Sequence, residues 1–175
     1  MNKLFTILKH RWLDSSDTRR QVPDAMAQRL ARRVAASEGR HAGEIRVCVE
    51  AALPLSYLWR LDRQTPMKAL VRQRAMSWFG RLRVWDTAHN SGVLIYLLLA
   101  EHSIEFVADR GLTTRVGPAQ WQGMVDRLAA QLREGRLEDG LTQALEEVSA
   151  VLVEHFPQQP DTPNPNELPD LVVRA

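Results

Sequence analysis

The run Gly92-Val93-Leu94-Ile95-Tyr96-Leu97-Leu98-Leu99-Ala100 is apolar at almost every position. A strand with one wet face alternates apolar and polar residues, whereas a strand covered on both faces reads as a continuous apolar run. This run is about half of the roughly 20 residues that a membrane-spanning helix requires. It predicts a strand buried between two layers, and it obliges the rest of the chain to supply both covers.

The covers are legible as helices. Pro23 and Asp24 are good first-turn residues, and Met26, Leu30 and Val34 follow on one stripe with Arg29, Arg32 and Arg33 off it, up to Gly39. Thr65-Pro66 supply a cap and a first helical position for Met67, Leu70, Val71, Ala75 and Trp78, which end at Gly80. Gly117-Pro118 open a helix carrying Trp121, Met124, Val125, Leu128 and Leu132, closed by Gly135, and a last helix carries Leu141, Leu145, Val148 and Leu152. Glu44 to Glu50 alternates, with Ile45, Val47 and Val49 on one face and Arg46, Cys48 and Glu50 on the other, which predicts a half-buried strand. Ser103 to Asp109 should return antiparallel to the apolar run after a tight turn at Glu101-His102. Helix, strand, helix, hairpin, helix, helix is the order of an α/β protein, here a layered α/β/α sandwich with a small mixed β-sheet flanked by helices.

Three segments follow: an N-terminal amphipathic segment over 1–20, the α/β domain over 21–156, and a Pro/Asn-rich tail over 157–175. Leu4, Phe5, Leu8 and Trp12 lie at helical spacing among basic residues, so a short helix either packs on the domain or serves as an arm for a membrane surface or a partner. The tail is expected to be extended or disordered, with Leu168 and Leu171-Val172-Val173 able to dock as an edge strand. Trp12, Trp59, Trp78, Trp85 and Trp121 mostly fall on apolar stripes and are read as core.

The 175 residues are 45% apolar and 25% charged, enough for one core to close. A net charge of +2 conceals an asymmetry: residues 1–85 hold 17 Lys and Arg against 7 Asp and Glu, and residues 86–175 hold 6 against 14. The halves should attract each other. Basic residues are not gathered with aromatics into a reading motif, which argues against nucleic acid. The apolar patch Leu4 to Leu8 is short for a secretory signal and no small-residue cleavage site follows, so the expected compartment is the cytoplasm, with peripheral contact to the inner membrane, and no transmembrane segment is expected. Cys48 is the single cysteine and is read as a buried, inert thiol.

The stretch Arg83-Val84-Trp85-Asp86-Thr87-Ala88-His89-Asn90-Ser91-Gly92-Val93-Leu94-Ile95-Tyr96-Leu97 resembles the signature of the TPM domain family, in which a polar loop ending in Asn and Gly runs into a buried strand. Ile104 to Leu112 is similar to the family's second strand and its terminal Gly-Leu, and Gly43 to Val47 to its first strand, so the resemblance covers about residues 22–156. It implies a domain that binds divalent metal, often Ca²⁺, with weak acid phosphatase activity in plant members and envelope roles in bacteria. The chain departs from the phosphatase-like branch, which places Glu and then Gly-aromatic-Gly where Val107 and Asp109-Arg110-Gly111 stand here, and it resembles instead the compact bacterial members without an anchor.

Topology then nominates a site. If the strands around Val47 and Ile95 are parallel, Glu44 and Asn90 share one end of the sheet, and the hairpin returns Asp109 to that end, opposite Leu94, with Arg110 opposite Val93. Asp86, Asn90, Asp109 and Glu44 would then offer oxygen ligands to a hard cation, Ca²⁺ or Mg²⁺. The bland alternative is that Asp86-Thr87 caps the turn before the strand. Arg83 and Arg110 are phosphate-binding candidates, or else partners for Asp86 and Asp109. His89 and His102 lack the companions that zinc requires. The expected function is a divalent-metal-binding module that engages an unknown protein partner near a membrane surface; the alternative is a weak metal-assisted acid phosphatase on phosphomonoesters.

Overall fold

In a computed structural model of the chain, which describes residues 3–159 and 166–175, the apolar run forms β2 (Val93–Leu98) inside a four-stranded mixed sheet. β1 (Ile45–Glu50) pairs parallel to it, with Val47 opposite Ile95, and β3 (Ser103–Ala108) pairs antiparallel on its other side. β4 (Val173–Arg174) runs parallel to β1 on the outer edge, so the order is β3-β2-β1-β4. The tail thus docks as an edge strand; residues 160–165 of it lie outside the described residues.

Helices cover both faces, as β2 demands. α3 (Asp24–Glu38), α7 (Pro118–Arg133) and α8 (Leu137–His155) bring Leu30, Val34, Met124, Leu128, Leu145 and Val148 onto Val47, Ile95 and Phe106. α5 (Met67–Arg81) lays Leu70, Val71, Ala75 and Phe79 on the opposite face, over Cys48, Leu94, Tyr96 and Val107. Each Leu or Ile fully buried in this way contributes roughly 1.5–3 kcal/mol relative to an exposed one. Shorter helices complete the chain: α1 (Lys3–Arg11), α2 (Ser15–Gln21), α4 (Leu55–Leu58) and α6 (Arg110–Thr113). The expected attraction between halves takes the form of ion pairs from the basic to the acidic half, Arg29 to Glu138 at 2.6 Å and Arg72 to Glu105 at 3.1 Å.

Four expectations are corrected. β1 is buried along its whole length, not half-buried, because α5 and the tail cover the face bearing Arg46, Cys48 and Glu50. The hairpin turns through Leu99–Glu101 as a 3-10 turn with His102 at φ 47°, so Leu98 meets Ser103 and Val93 meets Ala108, and Asp109 falls beyond β3, its N–H donating to Gly92 O at 2.9 Å. Trp12, Trp59 and Trp85 are 83%, 69% and 51% exposed and are not core. Residues 3–21 hold two helices rather than one, and α1 is inverted: Thr6 and His10 are buried while Leu4, Phe5 and Leu8 point outward.

His10 explains the inversion. Leu53 N–H donates to His10 Nδ1 at 2.9 Å, which leaves Nε2 to carry the proton and donate to Glu101 at 3.0 Å. A polar pair anchors the helix, so its apolar stripe is left over.

Candidate functional site

The loop from α5 to β2 is bent by two residues in the left-handed region, Arg83 at φ 55° and Asn90 at φ 51°. Asn tolerates that conformation better than most residues, since its short polar side chain bonds locally. Between them Thr87 does the capping, with its Oγ1 accepting from Ser91 N–H at 3.0 Å, so the Asp86 carboxylate is left to pair with Arg83. Gly92 sits where a Cβ would come within 1.9 Å of Val84 O, and at Gly111 a Cβ would come within 2.6 Å of Asn90 O. The glycines of the two motifs are therefore steric requirements of loops that cross at close range.

The crossing joins Asn90 to the residues after β3. Gly111 N–H donates to Asn90 O at 3.0 Å, and Arg110 Nε donates to Asn90 Oδ1 at 2.9 Å. Asp109 caps α6 by accepting from Arg110 N–H through Oδ1 at 2.7 Å, while its Oδ2 is buried without a hydrogen-bond partner. Three of the six candidates, Asn90, Asp109 and Arg110, thus meet at one mouth.

The remaining candidates face the tail. Asp86 and Arg83 pair with each other beside Glu167, whose carboxylate accepts from Ala88 N–H at 3.0 Å. Glu44, near-fully buried, accepts from Glu167 N–H at 3.1 Å. Burial raises the Glu44 carboxyl above its usual value, and it pushes Glu38 up to about 9, with the charges of Glu44 and Asp170 adding to the effect. Burial also drives His41 down to about 4. Among the described residues no group of three or more His, Cys, Asp or Glu is placed to hold a metal ion.

Two buried charges on β1 escaped the sequence reading. Glu50 receives Arg74 Nε at 2.9 and 3.0 Å, Trp78 Nε1 at 2.9 Å and the Tyr96 hydroxyl at 2.7 Å. The available signal was Arg74, a charge standing within the apolar stripe of α5. Arg46 is only 5% exposed, and its Nε and Nη1 have no hydrogen-bond partner. Its strand alternation gave no sign of that.

Fold and site together define a three-layer α/β domain whose polar loops gather at the leading ends of its parallel strands. The chain belongs to the TPM domain family, whose model matches residues 16–151. It is also similar to the solved NMR structure of the BA42 protein from the psychrophilic bacterium Bizionia argentinensis, with a TM-score of 0.72 and 23% identity, covering 88% of this chain and 95% of that one. At such identity the likeness speaks for the fold alone. No curated protein sequence matches the chain. No helix among the described residues is long and apolar enough to cross a membrane.

Proposed function

We propose that this TPM domain is a noncatalytic module that rests on an anionic lipid surface, at the inner face of the membrane, through α1. The observation that carries this reading is the outward apolar ridge of Leu4, Phe5, Leu8 and Trp12, exposed by 69%, 66%, 54% and 83%. Trp59 and Leu55 extend it, since Lys3 Nζ donates to Trp59 O at 2.8 Å and ties α1 to α4. Lys3, Lys9 and Arg11 flank the ridge and the helix has no acidic residue, the charge and shape of a helix that lies in the headgroup region. A soluble monomer rarely leaves so many large apolar side chains together in water without a use for them.

Co-sedimentation with vesicles tests it. The chain should pellet with phosphatidylglycerol-containing vesicles more than with phosphatidylcholine alone, and Phe5→Glu with Trp12→Glu should abolish the difference. These positions are exposed, so the variant keeps its fold. Equal partition of wild type and variant would remove the lipid surface and leave a protein partner for the same ridge.

A second reading, a divalent cation at the loop mouth, is favoured by the orphaned Oδ2 of Asp109. Ca²⁺ or Mg²⁺ would take that oxygen, with Asn90 Oδ1 joining once Arg110 swings away, while Asp86 and Glu44, on the tail side, stay outside the shell. Titration calorimetry should show heat that Asp109→Asn eliminates. The phosphatase alternative predicts turnover of a generic phosphate ester lost on the same substitution; Arg83 and Arg110, the residues it needs, already hold Asp86 and Asn90.

A further inference from the structure

We propose that the cleft between the end of α5 and the tail is a carboxylate-binding site anchored by Arg46, independent of both the α1 ridge and the cation reading. The cleft encloses about 420 Å³, within the range of small-ligand sites. Arg46, Arg81 and Arg83 supply three cations to its lining.

Arg46 sets it apart from an ordinary basic surface. It rises from β1 opposite Leu94 and is almost wholly buried, with Nε and Nη1 lacking any hydrogen-bond acceptor. The charges of Asp170, Glu44 and Glu38 favour the guanidinium against its desolvation, yet none of these carboxylates accepts a hydrogen bond from Nε or Nη1. Asp86 is paired with Arg83, Glu44 accepts from Glu167 N–H, and Asp170 accepts from Asn166 at 3.0 Å. Two guanidinium N–H groups taken out of water without acceptors are costly, and an incoming anion that bonds them lowers that cost. Each of these donors forms a fork with Nη2, one on the side and one at the end of the planar guanidinium, and a carboxylate matches either fork with two oxygens.

The rest of the lining selects among anions. Asp86 and Glu167 offset two of the three arginine charges, so the lining keeps one positive charge in excess, which a monoanion neutralises and a doubly charged phosphate exceeds. Leu82, Leu168 and Pro169 form an apolar wall, suited to a short aliphatic body carried by the acid. The ligand class is therefore a singly charged carboxylate with an apolar group next to it. That chemistry has two sources, a free short-chain acid or the C-terminus of a peptide ending in an aliphatic residue.

Thermal melting and titration calorimetry of the full chain at matched ionic strength test the proposal. The probes are butyrate, an N-acetylated tripeptide ending in Leu with a free carboxylate, the same peptide amidated, and inorganic phosphate. At least one carboxylate should raise the melting midpoint saturably, and the amidated peptide should not. A response to the free peptide assigns the peptide source, and a response to butyrate alone assigns the free acid. Arg46→Met should abolish the saturable shift while its own ligand-free midpoint stays near that of wild type or rises. Arg81→Gln, an exposed change that leaves the fold intact, should weaken the apparent affinity several-fold. The proposal is overturned if neither carboxylate shifts wild type, if phosphate binds more tightly than both, or if Arg46→Met retains the shift.

Discussion

Arg46 and Glu50 leave the same face of β1, near its two ends, and the fold treats them in opposite ways. Glu50 is enclosed by Arg74, Trp78 and Tyr96, so its burial is matched by donors on every side. Arg46, equally buried, ends in a cleft where neighbouring carboxylates favour its charge but none accepts a hydrogen bond from its Nε or Nη1. Burial alone therefore does not distinguish structure from site; the state of the hydrogen bonds does. A closed network fixes α5 on the sheet, while an open one stores an unmet demand at the end where the loops converge.

The comparison predicts unequal costs. Arg74→Met strands Glu50 as a buried charge, and urea unfolding should show a loss of about 3–5 kcal/mol. Arg46→Met removes a buried charge whose Nε and Nη1 make no hydrogen bond and which only the more distant charges of Asp170, Glu44 and Glu38 favour, so the same measurement should give a much smaller loss, about 1 kcal/mol or less, or a gain. If the two substitutions proved equally damaging, the distinction between the two ends of β1 would collapse.

Protonation sharpens it further. Around the open end Glu38 is pushed up to about 9, so the folded chain keeps a proton that the unfolded chain releases near 4.5. Its contribution is full below the unfolded value and is lost as pH rises through the folded one. His41, driven down to about 4, acts with the opposite sign and only below about 6.5, where stability falls as pH falls. Melting curves between pH 7 and 9 should therefore decline in wild type and flatten in Glu38→Gln. The smallest effect belongs to the exposed pair of Arg83 and Asp86, where Asp86→Asn should change unfolding free energy by no more than about 1 kcal/mol.

How far the sequence reached follows from what periodicity encodes. β2 and the flanking helices were legible because an apolar run and a 3.6-residue stripe report burial directly. The meeting of Asn90 with Asp109 and Arg110 was legible from topology, although the register was displaced because Leu99 and Ala100 continue the apolar run into a turn. Arg46 was hidden because alternation separates two faces without saying that a distant tail will cover the polar one. The helix of α1 could be foreseen and its orientation could not, since one buried histidine outweighs four apolar residues only when Leu53 and Glu101 are in place. Trp12, Trp59 and Trp85 failed as core for the same reason: stripe membership does not name the surface to which a stripe is turned.

β4 is held to β1 by a few backbone bonds, among them Ala175 N–H to Val49 O at 2.9 Å and Ala51 N–H to Ala175 O at 2.8 Å. It is only two residues of strand, and side chains fasten it further: Arg174 donates to Val22 O at 3.0 Å and pairs with Asp24 at 2.7 Å, and the Thr18 hydroxyl donates to Ala175 O at 2.8 Å. So held, it covers the flank of β1, whose amides and carbonyls would otherwise be a row that a second copy could extend. Val173 and Arg174 thus act as a cap on an otherwise open sheet edge, a duty unrelated to any ligand.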